Sequence, residues 1–344
     1  SRGLGDVYKR QVKYRPTKFD DVVSQDSIKA ILQQQIESKN HKNCYLFTGG
    51  AGTGKTTCAR IFANALNAGK GNAIEIDAAS NNGVENVRGI IEDSKHKSLD
   101  SEFKVYILDE VHMLSTGAWN AMLKLLEEPP LKTIFLMCTT DPQKIPATIL
   151  SRVQRFDFHR IPTDQIVQRL DDILVMELEE SAIDCKWEMD ALEYIAKIAD
   201  GGMRDAITLL DKCLSYDSTE LTMQTVITAL GVMDYSELFS LFKDIYHAED
   251  ANIIRSIEDT YMNGKDLKQF TRQFFFFVLE LVKYNVVKDF KYVSIPNTYA
   301  DQCSLSAGEQ EFAMRLIIKL QELVNVIKWE QNPKPFIIAR LLTI

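Results

Sequence analysis

The chain has 344 residues, of which 45% are hydrophobic and 26% are charged, and its 40 basic and 48 acidic side chains give a formal net charge of −8 at pH 7. This length predicts two or three domains with a sizeable core, and the composition is typical of a soluble globular protein. No stretch approaches the roughly 18–20 uncharged apolar residues that a membrane span needs, so we expect no membrane partner. The acidic balance excludes a general polycation, and any contact with nucleic acid must therefore be local.

The six cysteines are scattered along the sequence and form no CxxC pair. Their spacing therefore predicts neither a disulfide framework nor a zinc site. A reducing compartment is the simplest interpretation, and we expect a cytoplasmic protein.

The first eleven residues, 1–11, differ from the rest of the sequence. The segment SRGLGDVYKRQ is basic, lacks apolar periodicity and lacks the hydrophobic region of a secretory signal. It resembles, residue for residue, the in-frame translation of a transposase-end sequencing adaptor. We predict that it is not native and that the natural sequence is read from near Val12. The alternative is a disordered natural terminus.

From Asn43 onward, apolar β-prone runs alternate with segments of helical spacing. The run CYLFT is followed by a glycine cluster at 49–54 and by the helical pattern CARIFANALNA, which predicts a strand, a glycine loop and a helix. Further strands are predicted at 73–77, 103–108 and 133–139. Asn82 and Ser115 are predicted to cap the helices after the second and third strands. The alternation predicts an α/β fold with a parallel sheet, whose ligand lies beyond the carboxyl ends of the strands.

After Pro162 the strand signals fade, and amphipathic helices continue to the end of the sequence. A break near 216–221 predicts a small helical unit at 161–225 and a larger, all-α unit at 226–344. In the larger unit, the run Phe274–Phe277 carries aromatic rings around a whole helical turn. Such a helix should be covered on every side, either in the domain core or between subunits.

The glycine loop carries the strongest chemical signal in the sequence. The eight residues GGAGTGKT fit the pattern G-x-x-x-x-G-K-[ST] between a strand and a helix. In such a loop, backbone N–H groups and the helix N-terminus bind phosphates, the lysine neutralises the β- and γ-phosphates, and the threonine ligates Mg²⁺. We predict an ATP site formed by Gly49, Gly50, Ala51, Gly52, Thr53, Gly54, Lys55, Thr56 and Thr57, with Thr56 as a ligand of Mg²⁺.

The run VYILDE supplies the carboxylates that phosphate chemistry requires. Asp109 is predicted to join the Mg²⁺ shell, and Glu110 to polarise the attacking water as the catalytic carboxylate. Together the two motifs predict a P-loop ATPase, a class that includes metabolic kinases, helicases and AAA+ proteins. His112 completes a DEVH sequence, which invites a helicase interpretation, but a lone histidine at this place is more often a hydrogen-bonded neighbour.

Four longer segments indicate which kind of P-loop ATPase this sequence encodes. The opening KYRPTKFDDVVSQ, the run FKVYILDEVHMLS, the helix NAMLKLLEEPP and the loop CTTDPQKIPATILSR follow one another in this order. They resemble the gamma/tau subunit family of the bacterial DNA polymerase III clamp loader. The resemblance covers about residues 12–230, and beyond that it is limited to helical character and length.

The resemblance implies an architecture and a set of partners. In this family a RecA-like AAA+ ATPase domain, here 12–160, precedes a helical lid at 161–225 and a helical collar at 226–344, which joins five subunits into an open ring. The implied partners are other clamp-loader subunits in a hetero- or homopentamer, a sliding clamp and primer–template DNA. Candidate DNA contacts are the helix starts at Asn82–Gly83 and Ser115–Thr116.

The resemblance also implies roles for single residues. Thr140 matches the sensor of the γ-phosphate, and Arg204 matches the lid arginine that contacts the nucleotide of its own subunit. Arg152 matches the arginine finger that reaches the ATP of a neighbouring subunit. The adenine pocket would be lined by Tyr14, Arg15, Pro16, Val22 and Val23.

The sequence departs from the family pattern at two places. Between the P-loop helix and Glu75 the family normally carries a four-cysteine zinc module, whereas this sequence has only the segment NAGKGN, so we expect no zinc. Val153 replaces the cysteine of the family's Ser-Arg-Cys motif. These departures fit a member of the family without the zinc module, and they leave room for a phage-encoded version.

The sequence as a whole predicts an ATPase that serves as the motor subunit of a clamp loader, with ATP and Mg²⁺ as cofactors. Two alternatives stay open: another AAA+ DNA motor, for branch migration or helicase loading, and a nucleotide-gated scaffold subunit with negligible turnover. The intact Lys55, Asp109 and Glu110 speak against the scaffold. The KYRP opening and the run TTDPQK speak against another motor.

Overall fold

The computed structural model describes residues 10–98, 100–180 and 184–343. These residues form two compact units, one that ends at Thr219 and one that begins at Glu220. Most of the segment for which we predict a non-native origin, residues 1–9, lies outside the described residues.

A parallel sheet of five strands is the centre of the first unit. Its strands are β1 (Cys44–Gly49), β2 (Ile74–Asp77), β3 (Lys104–Asp109), β4 (Thr133–Thr139) and β5 (Gln154–Phe158). Their spatial order is β2-β3-β4-β1-β5, so β4 lies between β1 and β3. The register pairs Leu46 with Met137 and Ile107 with Leu136. The carboxyl ends of β1, β3 and β4 therefore meet at one edge of the sheet.

Apolar side chains cover both faces of this sheet, which explains why its central strands are continuous apolar runs. Tyr45 and Phe47 project into one core layer, and Leu46 projects into the other. The helices that close the first layer are α1 (Asp26–Glu37) and α2 (Lys55–Leu66), and those that close the second are α3 (Val84–Ser94) and α4 (Thr116–Glu127).

The predicted α/β fold with a parallel sheet is confirmed, and the four predicted strands are present with ends that differ by at most one residue. The sequence pattern does not predict β5. Its sequence QRFDF alternates exposed polar and buried apolar side chains, because the strand lies at the edge of the sheet. It therefore lacks the continuous apolar run that identifies the inner strands.

The two predicted helix caps differ in outcome. Ser115 caps α4, since its Oγ accepts a hydrogen bond from Ala118 N at 3.2 Å. The prediction that Asn82 caps α3 is wrong, because Gly83 occupies the cap position without a side-chain hydrogen bond. The carbonyl of Asn82 instead accepts a hydrogen bond from Ser115 N at 3.1 Å. The starts of α3 and α4 therefore lie side by side.

Helices make up most of the remaining described chain. In the first unit, α5 (Ala147–Leu150) is followed by α6 (Thr163–Glu179), the two-residue strand β6 (Lys186–Trp187), α7 (Met189–Ile198) and α8 (Met203–Tyr216). The second unit contains β7 (Glu220–Leu221), α9 (Met223–Leu230), α10 (Tyr235–Tyr246), α11 (Asp250–Met262), α12 (Leu267–Val287), α13 (Ala300–Cys303), α14 (Ala307–Ile327) and α15 (Lys334–Leu341). Within the described ranges, no single helix is long and apolar enough to cross a membrane. The helices α9 and α10 reach that length and apolar character only when they are taken together, and the chain bends between them.

The aromatic run on α12 is not covered on every side. Phe274 and Phe277 are buried, whereas Phe276 is 57% exposed. The prediction of complete cover is therefore wrong for the chain by itself, because α12 packs against α14 with one face and turns another to the surface. Burial of the exposed face between subunits stays a prediction.

All six cysteines lie among the described residues, and each is buried as a thiol. Burial raises the pKa of Cys44 to about 12 and is the main reason that the pKa of Cys58 also rises to about 12. The ranges that the structure describes contain no group of three or more His, Cys, Asp or Glu side chains able to hold a metal ion.

Gly49 ends β1 where the backbone of β5 passes very close. Its φ is +147°, and a Cβ there would lie 2.4 Å from the carbonyl oxygen of Phe158. We expect Gly49→Ala to cost about 2–3 kcal/mol and to lower the melting temperature of the first unit by roughly 5–10 °C in differential scanning calorimetry.

Gly89→Ala is the matched control. Gly89 lies on α3, with nothing within 4 Å of an added Cβ. Because alanine favours a helix more than glycine does, this substitution should raise the melting temperature by about 1–3 °C. Equal stability of Gly49→Ala and the parent would contradict the close approach of β1 and β5.

Candidate nucleotide-binding site

The side chain of Lys55 is turned back onto the glycine loop. Its Nζ donates to the carbonyl oxygens of Gly49 and Gly50 at 2.9 and 2.7 Å, and the residue is only 6% exposed. Burial lowers the pKa of this ammonium group, although nearby acidic groups act in the opposite direction. Because its acceptors here are neutral carbonyl groups, the ammonium can pass to an entering phosphate without breaking an ion pair at those contacts.

Thr56 and Asp109 bring two oxygens together at the carboxyl end of β3. The hydroxyl of Thr56 donates to Oδ2 of Asp109 at 2.9 Å. A hydroxyl and a carboxylate are hard oxygen donors of the kind that Mg²⁺ prefers, and water and phosphate oxygens complete such a shell. The two predicted Mg²⁺ ligands are therefore adjacent, and their donor set fits the ion.

Glu110 lies where the ends of β3 and β4 meet. Its backbone φ of 49° is left-handed, which is uncommon for a residue other than glycine. Its Oε2 accepts a hydrogen bond from Thr140 Oγ1 at 2.9 Å, so the predicted catalytic carboxylate touches the predicted sensor. Nδ1 of His112 is 3.2 Å from the same Oε2 and 3.2 Å from Oγ1 of Thr139. His112 is thus the hydrogen-bonded neighbour that the sequence favoured.

Lys55, Thr56, Asp109, Glu110 and Thr140 line one cleft of 510 Å³ in the first unit. The N-terminal part contributes the predicted adenine-pocket residues Tyr14, Arg15, Pro16, Val22 and Val23. The loop and the strand ends contribute Ala51, Gly52, Thr53, Gly54, Lys55, Thr56, Thr57, Asp109, Glu110 and Thr140, and the lid contributes Arg204. Gly49 and Gly50 are not part of this lining, but their carbonyl oxygens accept hydrogen bonds from Nζ of Lys55.

The sequence does not predict the remaining residues of the lining, namely Gln11, Arg60, Ile161, Arg169, Met203, Asp205 and Ile207. Arg169 shows the reason. Its Nη2 donates to the backbone carbonyl of Tyr14 at 3.3 Å, which joins α6 to a segment 155 positions away, and no local spacing indicates that contact. Met203 and Asp205 had a usable signal, because they flank Arg204 in the run GGMRD.

The lid touches the glycine loop directly. The N–H of Met203 donates to the carbonyl of Gly52 at 3.1 Å. Gly52 has a φ of +70°, and a Cβ there would lie 2.9 Å from Cα of Gly202. Two glycines therefore permit a backbone contact between the loop and the start of α8, directly beside Arg204.

Gln25 joins the N-terminal part to the sheet. It is 5% exposed, its Nε2 donates to the carbonyl of His159 at 2.6 Å, and its Oε1 accepts from His159 N at 3.2 Å. The amide therefore pairs with the backbone just beyond β5. This contact fixes the segment that carries Val22 and Val23, and no local pattern in the sequence predicts it.

A buried ion-pair cluster attaches the chain before Tyr14 to the lid. Arg10 contacts Glu177 at 2.8 Å and Asp211 at 2.6 Å, and both carboxylates are almost fully buried. Burial by itself lowers the pKa of the Arg10 guanidinium, but hydrogen bonds to the two carboxylates outweigh it and raise the pKa overall. Gln11 donates to Oγ1 of Thr208 at 2.6 Å. The predicted non-native origin of Arg10 and Gln11 stays a prediction.

Arg152 lies at another place in the first unit. It lines a separate groove of 630 Å³ together with residues of α1 and the start of β1. Its Nη2 donates to Oε1 of Glu127 at 2.8 Å, and its Nη1 donates to the carbonyl of Thr148 at 2.6 Å. The structure therefore gathers the predicted site residues into one cleft, except for Arg152 and for the two glycines, Gly49 and Gly50, that lie behind Lys55.

Solved structures of a similar fold include RuvB from Thermotoga maritima. The structure described as the RuvB Holliday junction branch migration motor has a TM-score of 0.51 and 18% sequence identity, over 67% of this chain and 79% of its own. A single-residue variant of the same protein has a TM-score of 0.52. At this identity the similarity concerns the fold alone.

Two family profiles match the first unit. Residues 73–162 match the profile described as DNA polymerase III, delta subunit. Residues 165–218 match the profile described as the DNA polymerase III clamp loader subunit, ATPase lid domain. The second match contains α8, which carries Arg204.

Curated relatives extend over most of the chain. DNA polymerase III subunit tau of Bacillus subtilis is 37% identical over 94% of this chain and 60% of its own length. The gamma/tau subunit of Mycoplasma genitalium is 34% identical over 91% of this chain, which spans 55% of that protein. The gamma subunit of Buchnera aphidicola is 32% identical over 74% of both. The chain therefore belongs to the gamma/tau family of DNA polymerase III subunits.

Proposed function

We propose that this protein is the ATP-driven motor subunit of a clamp loader, which loads a sliding clamp onto primer–template DNA during replication. The observation that carries the proposal is the cleft itself, in which a phosphate loop, the Thr56–Asp109 pair, the Glu110–Thr140 contact and Arg204 converge. Membership of the gamma/tau family supports clamp loading as the use of that cleft.

ATP binds with its phosphates on the glycine loop and its base toward the N-terminal part. Main-chain N–H groups and the first turn of α2 receive the phosphates, while Lys55 exchanges its carbonyl acceptors for phosphate oxygens. Tyr14 and Val22 are buried side chains that offer apolar surface to adenine. Thr56 and Asp109 would hold Mg²⁺, which when bound would neutralise charge on the phosphates.

Hydrolysis depends on the release of Glu110 from Thr140. The hydroxyl of Thr140 donates to the carboxylate of Glu110. A γ-phosphate offers this hydroxyl a second, strongly charged acceptor, and once the hydroxyl turns to it, the carboxylate is available to a water molecule. Arg204 lies across the cleft on the lid and adds positive charge to the same phosphates.

A neighbouring subunit of the ring supplies further positive charge to the phosphates of ATP. Arg152 lies outside the cleft of its own chain, so it serves the ATP of a neighbouring subunit as an arginine finger. The neighbours are other clamp-loader subunits in a hetero- or homopentamer held together by the collar, to which the exposed Phe276 adds apolar surface. This assembly acts in the cytoplasm, where it opens a sliding clamp.

Primer–template DNA contacts the paired starts of α3 and α4. A hydrogen bond from Ser115 N to the carbonyl of Asn82 joins these two helix starts, so their positive ends are adjacent. Two adjacent helix N-termini bind phosphates without a basic surface, which agrees with the net charge of −8.

Steady-state ATPase measurements test the proposal against its alternatives. We expect turnover that rises when a sliding clamp and primed DNA are added together. Stimulation by four-way junction DNA without a clamp would favour a branch-migration motor. Bound ATP without turnover, under every condition, would favour a nucleotide-gated scaffold.

Glu110→Gln should keep ATP bound and slow its hydrolysis by roughly 10²–10⁴-fold, because the amide retains the shape but polarises water poorly. Filter binding with radiolabelled ATP and phosphate release measure the two effects separately. Glu102→Gln is the control, since Glu102 pairs with Lys132 on the surface outside the cleft. Turnover of Glu110→Gln at the parent rate would remove Glu110 from the mechanism.

Arg152→Ala should leave ATP affinity nearly intact and reduce turnover by a factor on the order of 10³, because the finger acts on a neighbour's phosphate. Lys55→Ala should abolish nucleotide binding in its own subunit. A mixture of the two proteins should regain activity, since some interfaces then pair an intact loop with an intact finger. Native mass spectrometry first establishes that mixed rings form.

If mixed rings form and their turnover stays at the level of the separate variants, Arg152 does not act across the interface. Lys70→Ala protein mixed with Arg152→Ala protein is the control for dilution, because Lys70 is exposed and lies outside the cleft lining.

A further inference from the structure

Three acceptors within the chain hold the guanidinium of Arg152. Nη1 donates to the carbonyl of Thr148 at 2.6 Å and to Oγ of Ser151 at 3.1 Å, and Nη2 donates to Oε1 of Glu127 at 2.8 Å. Thr148 and Ser151 are four residues or fewer from Arg152, whereas Glu127 is 25 residues away at the end of α4. Glu127 is therefore the one of these three contacts that joins the guanidinium to another helix.

The ion pair between Arg152 and Glu127 contributes little to the stability of the fold, because it is exposed to solvent. The side chains of Arg152 and Glu127 are 34% and 49% exposed, and ion pairs as exposed as this one are worth about 0–1 kcal/mol. What the contact does restrict is the freedom of a long arginine side chain, which otherwise samples many rotamers. The carboxylate of Glu127 at the end of α4 holds the arginine side chain in one orientation.

The contact leaves part of the guanidinium available. Its five N–H groups are divided among Nε, Nη1 and Nη2. Within the described ranges, the contacts to Thr148, Ser151 and Glu127 use three of them and leave the Nε–H and the second Nη2–H. A phosphate oxygen can therefore be bound while Glu127 remains in place.

We propose that Glu127 is a positioning residue that orients Arg152 toward the ATP of the neighbouring subunit. The proposal rests on the finger role of Arg152 under the proposed function. Glu127 itself touches neither ATP nor water at the reacting phosphate; its effect passes through the guanidinium. Because a misplacement of about 1 Å can cost up to 10²-fold in rate, a lost orienting contact should be visible in turnover.

Glu127→Gln tests this role beside the matched control Glu128→Gln, which makes the same charge change one residue later. We expect Glu127→Gln to lower kcat by roughly tenfold with the KM for ATP within about twofold of the parent, since the residues that bind ATP are untouched. Glu128→Gln should leave both constants unchanged. Glu127→Asp keeps the carboxylate and should recover part of the loss.

A double substitution shows whether Glu127 affects turnover through Arg152 or independently of it. If Glu127 acts through Arg152, the protein with both Glu127→Gln and Arg152→Ala should turn over ATP at the rate of Arg152→Ala alone. Losses that multiply would overturn the proposal, because Glu127 would then act by another route. If Arg152→Ala itself leaves turnover unchanged, the finger role fails, and the orientation of a finger by Glu127 fails with it.

Chemical modification of Arg152 tests the contact without turnover. Phenylglyoxal attacks exposed guanidinium groups, and peptide mass spectrometry measures its rate at Arg152 alone. We expect Glu127→Gln to raise this rate several-fold and Glu128→Gln to leave it unchanged. An equal rate in the parent and in Glu127→Gln would refute the contact, even if Arg152→Ala shows that the finger is essential and the proposed function stands.

Discussion

The insertion of β4 between β1 and β3 is the constraint on which the nucleotide cleft depends. Thr56 and Asp109 are 53 positions apart, and Glu110 and Thr140 are 30 apart, yet both pairs lie within hydrogen-bond distance. Parallel pairing brings this about, because it ends the three strands at one edge with spacings of about 4.8 Å. With β4 at the outside of the sheet, Thr140 would lie another strand away from the glycine loop.

The features that the sequence predicts all have a local signal. The continuous apolar runs predicted the inner strands to within one residue, and the motif GGAGTGKT predicted the loop between β1 and α2. The side of the sheet on which the cleft opens follows from parallel topology, so the sequence by itself places Asp109 and Glu110 beside Lys55. The physical reason is that each of these features is written within about ten consecutive residues.

The parts that escaped prediction depend on contacts between distant segments. The pairing of Gln25 with His159, the hydrogen bond from Arg169 to Tyr14 and the partner of Arg152 have no periodicity or spacing that identifies them. The edge strand β5 and the partly exposed run on α12 have a different cause. For β5 and for the aromatic run on α12, the residue types alone do not predict which side chains are buried. Burial there depends on which neighbouring element each face packs against.

All six native thiols are buried, so a single cysteine introduced at the surface can be labelled with a fluorescent dye while the native ones stay unlabelled. Alkylating dyes react with thiolates, and the raised pKa values of Cys44 and Cys58 keep those buried groups protonated at neutral pH. A cysteine introduced at the exposed Lys212 on α8 would therefore take up maleimide before the native ones. Because α8 also carries Arg204, a dye at that point would show whether the environment of this helix changes when ATP is added.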